Sequence, residues 1–173
     1  MTISEDMVAQ ARQGSREAFG RLYESVAGEL YRQAWYLLGN REEAEDAVSE
    51  TFLEAWKGIG RLKNAGSFRP WIFKILSMRC KGKISGLIEA RTNVNLDDWQ
   101  EEGREENGFS RVELMEAISR LNFEERQVIV LGFIMGYTGR EISEMTGWPQ
   151  GTITSKQTRT LKKLRGMLSG KEE

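Results

Sequence analysis

At 173 residues the chain is long enough for one domain or two small ones, and 39% hydrophobic with 29% charged residues lets it bury a core. It has no histidine and a single cysteine, Cys80, which excludes imidazole chemistry, an internal disulfide and a Cys/His metal cluster. Net charge is −1, too little for a protein that grips nucleic acid unaided.

The first helix is expected from Ser4 as cap, with Glu5 and Asp6 in its opening turn and Gly14 at its end. Ser15 opens a long second helix. Its apolar positions Phe19, Leu22, Tyr23, Val26, Leu30, Ala34 and Leu37 keep helical spacing up to Gly39. Asn40 with Glu43 predicts a capping box for a third helix, which runs to Gly58. A loop from Ile59 to Gly66 follows. Ser67 is placed to cap a fourth helix, with Pro70 in its first turn and Trp71, Ile72, Ile75 and Leu76 as its stripe. Gly82 and Gly86 weaken its end.

Residues 93–108 read as an acidic, glycine-bearing linker in which Trp99 is the one large apolar group. Ser110 with Glu113, Asn122 with Glu125 and Thr138 with Glu141 then predict three capped helices, the second continuing to Gly136 and the third ending at Gly147. A fourth is expected from about Gln150 to Leu168. The fold class is all-α, with two small helical domains, 1–92 and 109–173, joined by the linker.

Charge is arranged in blocks. Met1–Gly60 carries 6 basic and 11 acidic residues, and Arg61–Arg91 carries 8 and 1. Asp97–Gly108 carries 1 and 6, and Met145–Lys171 carries 6 and none. Two basic patches separated by acidic ones favour nucleic-acid contact at two places. The second patch coincides with Thr138–Arg165, a short helix, a Gly147-Trp148-Pro149 turn and a longer basic helix. That is the pattern of a helix-turn-helix, which sets its second helix in the major groove. Gln150, Thr152, Thr154, Ser155 and Arg159 are expected to point outward toward bases and phosphates, with Lys156, Lys162, Lys163 and Arg165 toward the backbone. A basic solvated helix is the plainer reading, but the lack of any acid from Met145 to Lys171 favours DNA. Carboxylate pairs such as Glu42/Glu43 and Glu124/Glu125 sit in first helical turns, where capping explains them better than catalysis does.

Three stretches carry a family resemblance: L-N-F-E-E-R-Q-V-I-V-L with the helix-turn-helix, E-D-A-V-S-E-T-F-L-E-A-W, and S-F-R-P-W-I-F-K-I. In this order, spanning about Ser15 to Leu168, the chain resembles a bacterial RNA polymerase sigma factor of the extracytoplasmic-function (ECF) subfamily. The resemblance implies a promoter-specificity subunit that binds core RNA polymerase and promoter DNA and helps melt the duplex. It implies no enzymatic activity, cofactor, metal or small-molecule substrate of its own, and an anti-sigma factor as a further partner.

By the same resemblance, Asp46, Ser49, Glu50 and Leu53 match the helix that docks on the polymerase clamp, while Phe52 and Trp56 read better as core. The minus-ten element falls to Arg61, Lys63, Asn64, Ser67, Arg69 and Lys74, with Phe68 and Trp71 interleaved as stacking surfaces. For Trp71 the spacing with Ile75 makes core the better reading. The minus-thirty-five element falls to Gln150, Thr152, Thr154, Ser155, Lys156, Arg159 and Lys163. The chain differs from the common family pattern at Met78 and Gly82, and at Thr154 and Lys156, where a basic residue and Arg are usual. The alternative is a stand-alone helix-turn-helix regulator, which would need a dimerisation element to span two half-sites. Cys80 alone, an N-terminus without a basic-then-apolar leader, and no apolar run near the about 20 residues a membrane helix needs give a cytoplasmic expectation.

Overall fold

Helix starts in this chain are set by short polar side chains. Ser4, Ser15, Asn40, Asn122 and Thr138 stand in extended backbone, and each accepts a backbone N–H through its side-chain oxygen. Each thereby pairs a donor that the helix cannot pair for itself. The computed structural model describes residues 2–90 and 111–170, the side chains of 86–90 excepted. The helices are α1 (Glu5–Arg12), α2 (Arg16–Leu38), α3 (Arg41–Gly58), α4 (Phe68–Ala90), α5 (Arg111–Ser119), α6 (Phe123–Ile129), α7 (Gly139–Thr146) and α8 (Gln150–Ser169). No strand occurs among the described residues, in line with the all-α expectation. The acidic linker 93–108, Trp99, Ser110 and the boundaries at 92 and 109 lie outside the described residues.

Gly39 and Gly147 end α2 and α7 in the left-handed conformation, at φ 68° and 80°. A side chain at either would be strained there, so these two glycines stop their helices where the sequence predicts.

In the N-terminal half α1 to α4 surround Leu22, Val26, Leu30, Leu37, Ile72 and Leu76, all fully buried. Three ion pairs bind α3 to α4. Lys83 reaches Glu43 at 3.2 Å and Glu50 at 3.4 Å, and Arg79 Nε donates to Glu54 at 2.8 Å. The Asn40 capping box is therefore only half formed, because the Glu43 carboxylate is drawn across to Lys83. The loop before α4 winds into two 3-10 turns, Ile59–Arg61 and Ala65–Ser67. Asn64 caps the second, accepting from Gly66 N at 3.0 Å. Ser67 thus belongs to that turn rather than standing apart as the cap of α4.

In the C-terminal half the capping boxes at Asn122/Glu125 and Thr138/Glu141 are complete. The helix expected to run on to Gly136 does not stay α-helical. After Ile129 it widens into a π-helical turn, Val130–Ile134. The cause lies on α8: Gln157 Nε2 donates to the Val128 carbonyl at 3.2 Å, where the widening begins. Gly132 makes room for it, since a Cβ there would stand 2.2 Å from that nitrogen. A side chain inserted into the backbone ladder is a recognised cause of such bulges.

The buried apolar residues of the two halves form one continuous core, and polar contacts cross between them. Arg126 Nη1 on α6 donates to Leu37 O at the end of α2, at 2.8 Å. Gln127 Nε2 donates to Ser77 Oγ on α4 at 2.9 Å, and Gln33 Nε2 on α2 reaches the same oxygen at 3.4 Å. Tyr137 OH donates to Glu29 on α2 at 2.5 Å, and its ring meets Phe73 on α4 edge to face at 5.9 Å.

Candidate polymerase and nucleic-acid interfaces

Helix α3 turns two faces to different surroundings. Ala44, Ala47, Val48, Thr51, Phe52 and Ala55 are buried against α2 and α4. Asp46, Ser49 and Leu53 lie on the other side and are exposed, Leu53 by 63%. An uncharged leucine left this open beside an aspartate makes a surface suited to a partner helix. Glu50 does not join it fully. It is half-buried and turned toward Lys83. Of the aromatics read as core, Phe52 is buried, whereas Trp56 is 37% exposed and packs edgewise on Phe19 at 5.0 Å.

Residues from the 59–67 loop and the start of α4 form an open cleft of about 580 Å³. Asn64, Ser67, Pro70, Trp71 and Lys74 line it, with the carboxylates of Glu5 on α1 and Glu144 on α7. Arg61 and Lys63 are exposed but do not line it. Trp71 is half-buried over Gly58, where a Cβ would come within 3.3 Å of its ring. Phe68 has no free face for a nucleobase. It is 1% exposed, because the first turn of α4 points it into the core. The stacking role expected for Phe68 is therefore corrected.

Arg69 is separated from that cleft by its bonds. Its guanidinium pairs with Glu29, donates to Tyr137 OH at 3.1 Å, and lies over the Phe73 ring at 5.3 Å. Burial, and then the bond to Glu29, push the Tyr137 hydroxyl up to about 12, so it stays a donor at any physiological pH. In this arrangement Arg69 serves the contact between the halves, and DNA has to displace Tyr137 to reach it. Removing that hydroxyl by Tyr137→Phe is expected to loosen the contact at a cost of about 1.5–3 kcal/mol for a charge-assisted bond. Faster hydrogen exchange across α7 would register it. Unchanged exchange would place closure on Arg126 and Gln127 alone.

The helix-turn-helix is built as its turn chemistry demands. Ser143 Oγ donates to Trp148 O at 2.6 Å, and Gly147 N donates back to Ser143 O at 2.8 Å, which fixes the angle between α7 and α8. Ile153, Thr160 and Leu164 bury one side of α8. Gly151, Thr154, Ser155, Thr158 and Arg159 line an open groove on the other. Thr158 was not among the sequence candidates, although it lies one turn beyond Thr154. Gln150 and Thr152 are exposed at the start of the helix, outside that groove. Pro149 offers no capping side chain, so the first N–H groups of α8 face outward.

Lys156 and Lys163 are turned away from the groove. Lys156 pairs with Glu124 at 2.7 Å and Lys163 with Glu125 at 3.3 Å, tying α8 to the first turn of α6. The Lys156 bond also holds the Glu124 carboxyl below its ordinary range. Both carboxylates of that acidic pair are thus occupied structurally. Cys80 is buried, and burial pushes its thiol up to about 12, so it supplies no nucleophilic thiolate. Among the described residues no group of three His, Cys, Asp or Glu side chains is placed to hold a metal ion, and no helix is long and apolar enough to cross a membrane.

Comparison with known proteins places these parts. Residues 22–85 match the family model of sigma-70 region 2, and residues 117–166 match that of sigma-70 region 4. The ECF RNA polymerase sigma factor BldN of Streptomyces coelicolor is 30% identical over 171 residues. That match takes in 94% of this chain but only 65% of BldN, so the chain spans just under two thirds of that relative's length. RNA polymerase sigma factor NccH of Alcaligenes xylosoxydans xylosoxydans is 23% identical, covering 99% of this chain and 97% of NccH. Among solved structures, CnrH in complex with the cytosolic domain of CnrY has a TM-score of 0.73 at 22% identity, covering 98% of this chain and 99% of that one. The sigma factor RpoE of Bartonella quintana, in complex with the anti-sigma factor NepR, has a TM-score of 0.66 at 21% identity over 87% and 96%. With both regions present in order and relatives named as ECF factors along nearly the whole chain, this protein belongs to the sigma-70 family of RNA polymerase sigma factors, in its ECF group.

Proposed function

We propose that this chain is a promoter-specificity subunit: it binds core RNA polymerase in the cytoplasm and directs initiation at promoters with two recognised elements. One observation carries the reading. In a chain that matches regions 2 and 4, the open face of α8 consists of small polar residues and Arg159, on a helix without an acidic side chain.

Each part has a task under this reading. The exposed Asp46, Ser49 and Leu53 dock on the polymerase. The cleft around Asn64, Ser67 and Lys74, with Arg61 and Lys63 at its approaches, receives a base of the minus-ten element, and Arg69 joins once the halves separate. The α8 groove enters the minus-thirty-five major groove, where Arg159 can fork onto a guanine. Lys156 and Lys163 serve mainly to brace α8 against α6. An anti-sigma factor is the expected regulator, since the RpoE relative is held in such a complex. By stabilising the closed pairing of the halves it would keep Arg69 and the cleft from DNA. The stand-alone regulator reading leaves the open face of α3 without a purpose.

Arg159→Ala is expected to lower promoter-specific initiation about 10- to 100-fold, the worth of one good bidentate base contact, while leaving polymerase binding intact. Reconstituted transcription beside co-elution with core polymerase measures both. Equal loss in the two assays would sink the assignment of α8.

A further inference from the structure

The open face of α8 has a chemical character that its residue types alone do not reveal. Thr154 Oγ1 donates to Gln150 O at 3.1 Å, and Thr158 Oγ1 donates to Thr154 O at 3.0 Å. A threonine hydroxyl has one proton to give. Both protons are spent on the helix's own carbonyls, so what each residue offers outward is a methyl group and a hydroxyl lone pair. Both residues are exposed, one turn apart, and line the same groove.

Gly151 extends that line by one turn toward the start of α8. Its φ is not positive, and a Cβ added there would meet nothing within 4 Å. No contact within the protein therefore calls for glycine, although glycine in a helix costs about 0.5–1 kcal/mol against alanine. The bare position gives an outside surface room to come close to the helix backbone. At the other end Arg159 turns Nε toward Ser155 O at 3.4 Å, which leaves its terminal nitrogens as the strong donors of the groove.

Resting on the promoter reading above, the geometry points to Thr154 and Thr158 as specificity-determining residues that select thymine in the upstream element by packing their methyl groups on its 5-methyl group. In the major groove only an A·T pair presents a methyl, and it sets an adenine amino donor beside it, which a hydroxyl lone pair can accept. Guanine offers acceptors there, which a hydroxyl with its proton already committed cannot satisfy. The pair thus favours A·T steps, and a guanine read by Arg159 flanks them.

The test uses core polymerase carrying this chain and a library of promoter duplexes randomised over the upstream element. Failure to enrich any sequence would sink the promoter reading itself. Enriched duplexes are then remade with deoxyuridine in place of each thymine, which deletes only the methyl. Binding is expected to fall about fourfold at one or two neighbouring positions, the worth of one buried methyl. Thr158→Ser is expected to bind thymine and deoxyuridine duplexes alike at one of these positions, and Thr154→Ser at the other. Thr158→Val keeps the methyls, and with them the discrimination. Enrichment without a fixed thymine, equal binding of the two duplexes by the unaltered chain, or discrimination that survives both serine variants would overturn the inference.

Discussion

Arg126→Ala is expected to destabilise the protein by about 3–5 kcal/mol, a large share of the 5–15 kcal/mol that holds an ordinary domain together. The side chain is 6% exposed, and its guanidinium donates to three carbonyls: Leu121 at 2.8 Å, Leu37 at 2.8 Å and Ser119 at 2.5 Å. Burial pulls the guanidinium below its ordinary range, and an arginine nonetheless stays charged inside a protein. Two of the bonds close the turn between α5 and α6. The third crosses to the end of α2 and satisfies a carbonyl that the helix leaves unpaired. Truncation opens a cavity and strands three acceptors. A hydrophobic replacement cannot restore them, since the carbonyls belong to the backbone. Thermal unfolding should therefore shift down by about 10 °C or more for both Arg126→Ala and Arg126→Met. An unchanged melting temperature in Arg126→Met, which keeps the packing of the stem, would show that the carbonyls find other partners and that the bonds matter little.

Arg126 also marks where sequence reasoning stops. Helix boundaries were legible because capping is local. Ser15, Asn122 with Glu125, Thr138 with Glu141, Gly39 and Gly147 each act within four residues of the end they define. The open face of α3 was picked out by the family resemblance, and helical spacing then set Asp46, Ser49 and Leu53 on one side of it. What spacing cannot show is which distant element faces a residue. Lys156 and Lys163 read as backbone-contacting cations because their acids, Glu124 and Glu125, lie 32 and 38 residues earlier in the chain. Arg69 read as a DNA contact because Glu29 reaches it from α2 and Tyr137 from the loop before α7. The π-helical turn had no signal in the apolar run Val128–Ile134, since its cause is Gln157 on another helix. Trp71 read as the core residue of the pair from its spacing with Ile75, and the first turn of α4 reversed that by burying Phe68 more deeply.

On α3, Leu53→Glu is expected to weaken association with core polymerase at least 30-fold, and Asp46→Arg by a comparable factor, as truncating or reversing a central contact commonly costs 2 kcal/mol or more. Leu53 stands 63% exposed in the free protein. Covering such a side chain contributes about 1.5–3 kcal/mol, and a glutamate there forfeits that gain while bringing a charge that must be desolvated. Asp46, one side of the same strip, makes no ion pair among the described residues, so reversing its charge breaks nothing inside the protein. Both substitutions should thus leave the melting temperature within about 1 °C of the unaltered chain, as surface changes away from special features usually do. Co-elution with core polymerase over a concentration series is the measurement. Full co-elution of both variants at low concentration would remove this face from the polymerase contact. Loss of association with unchanged melting would place it there, on a helix separate from the one that Arg159→Ala tests. That separation matters, because a sigma factor has to hold polymerase and DNA at once, and two faces that fail independently are what such a subunit requires.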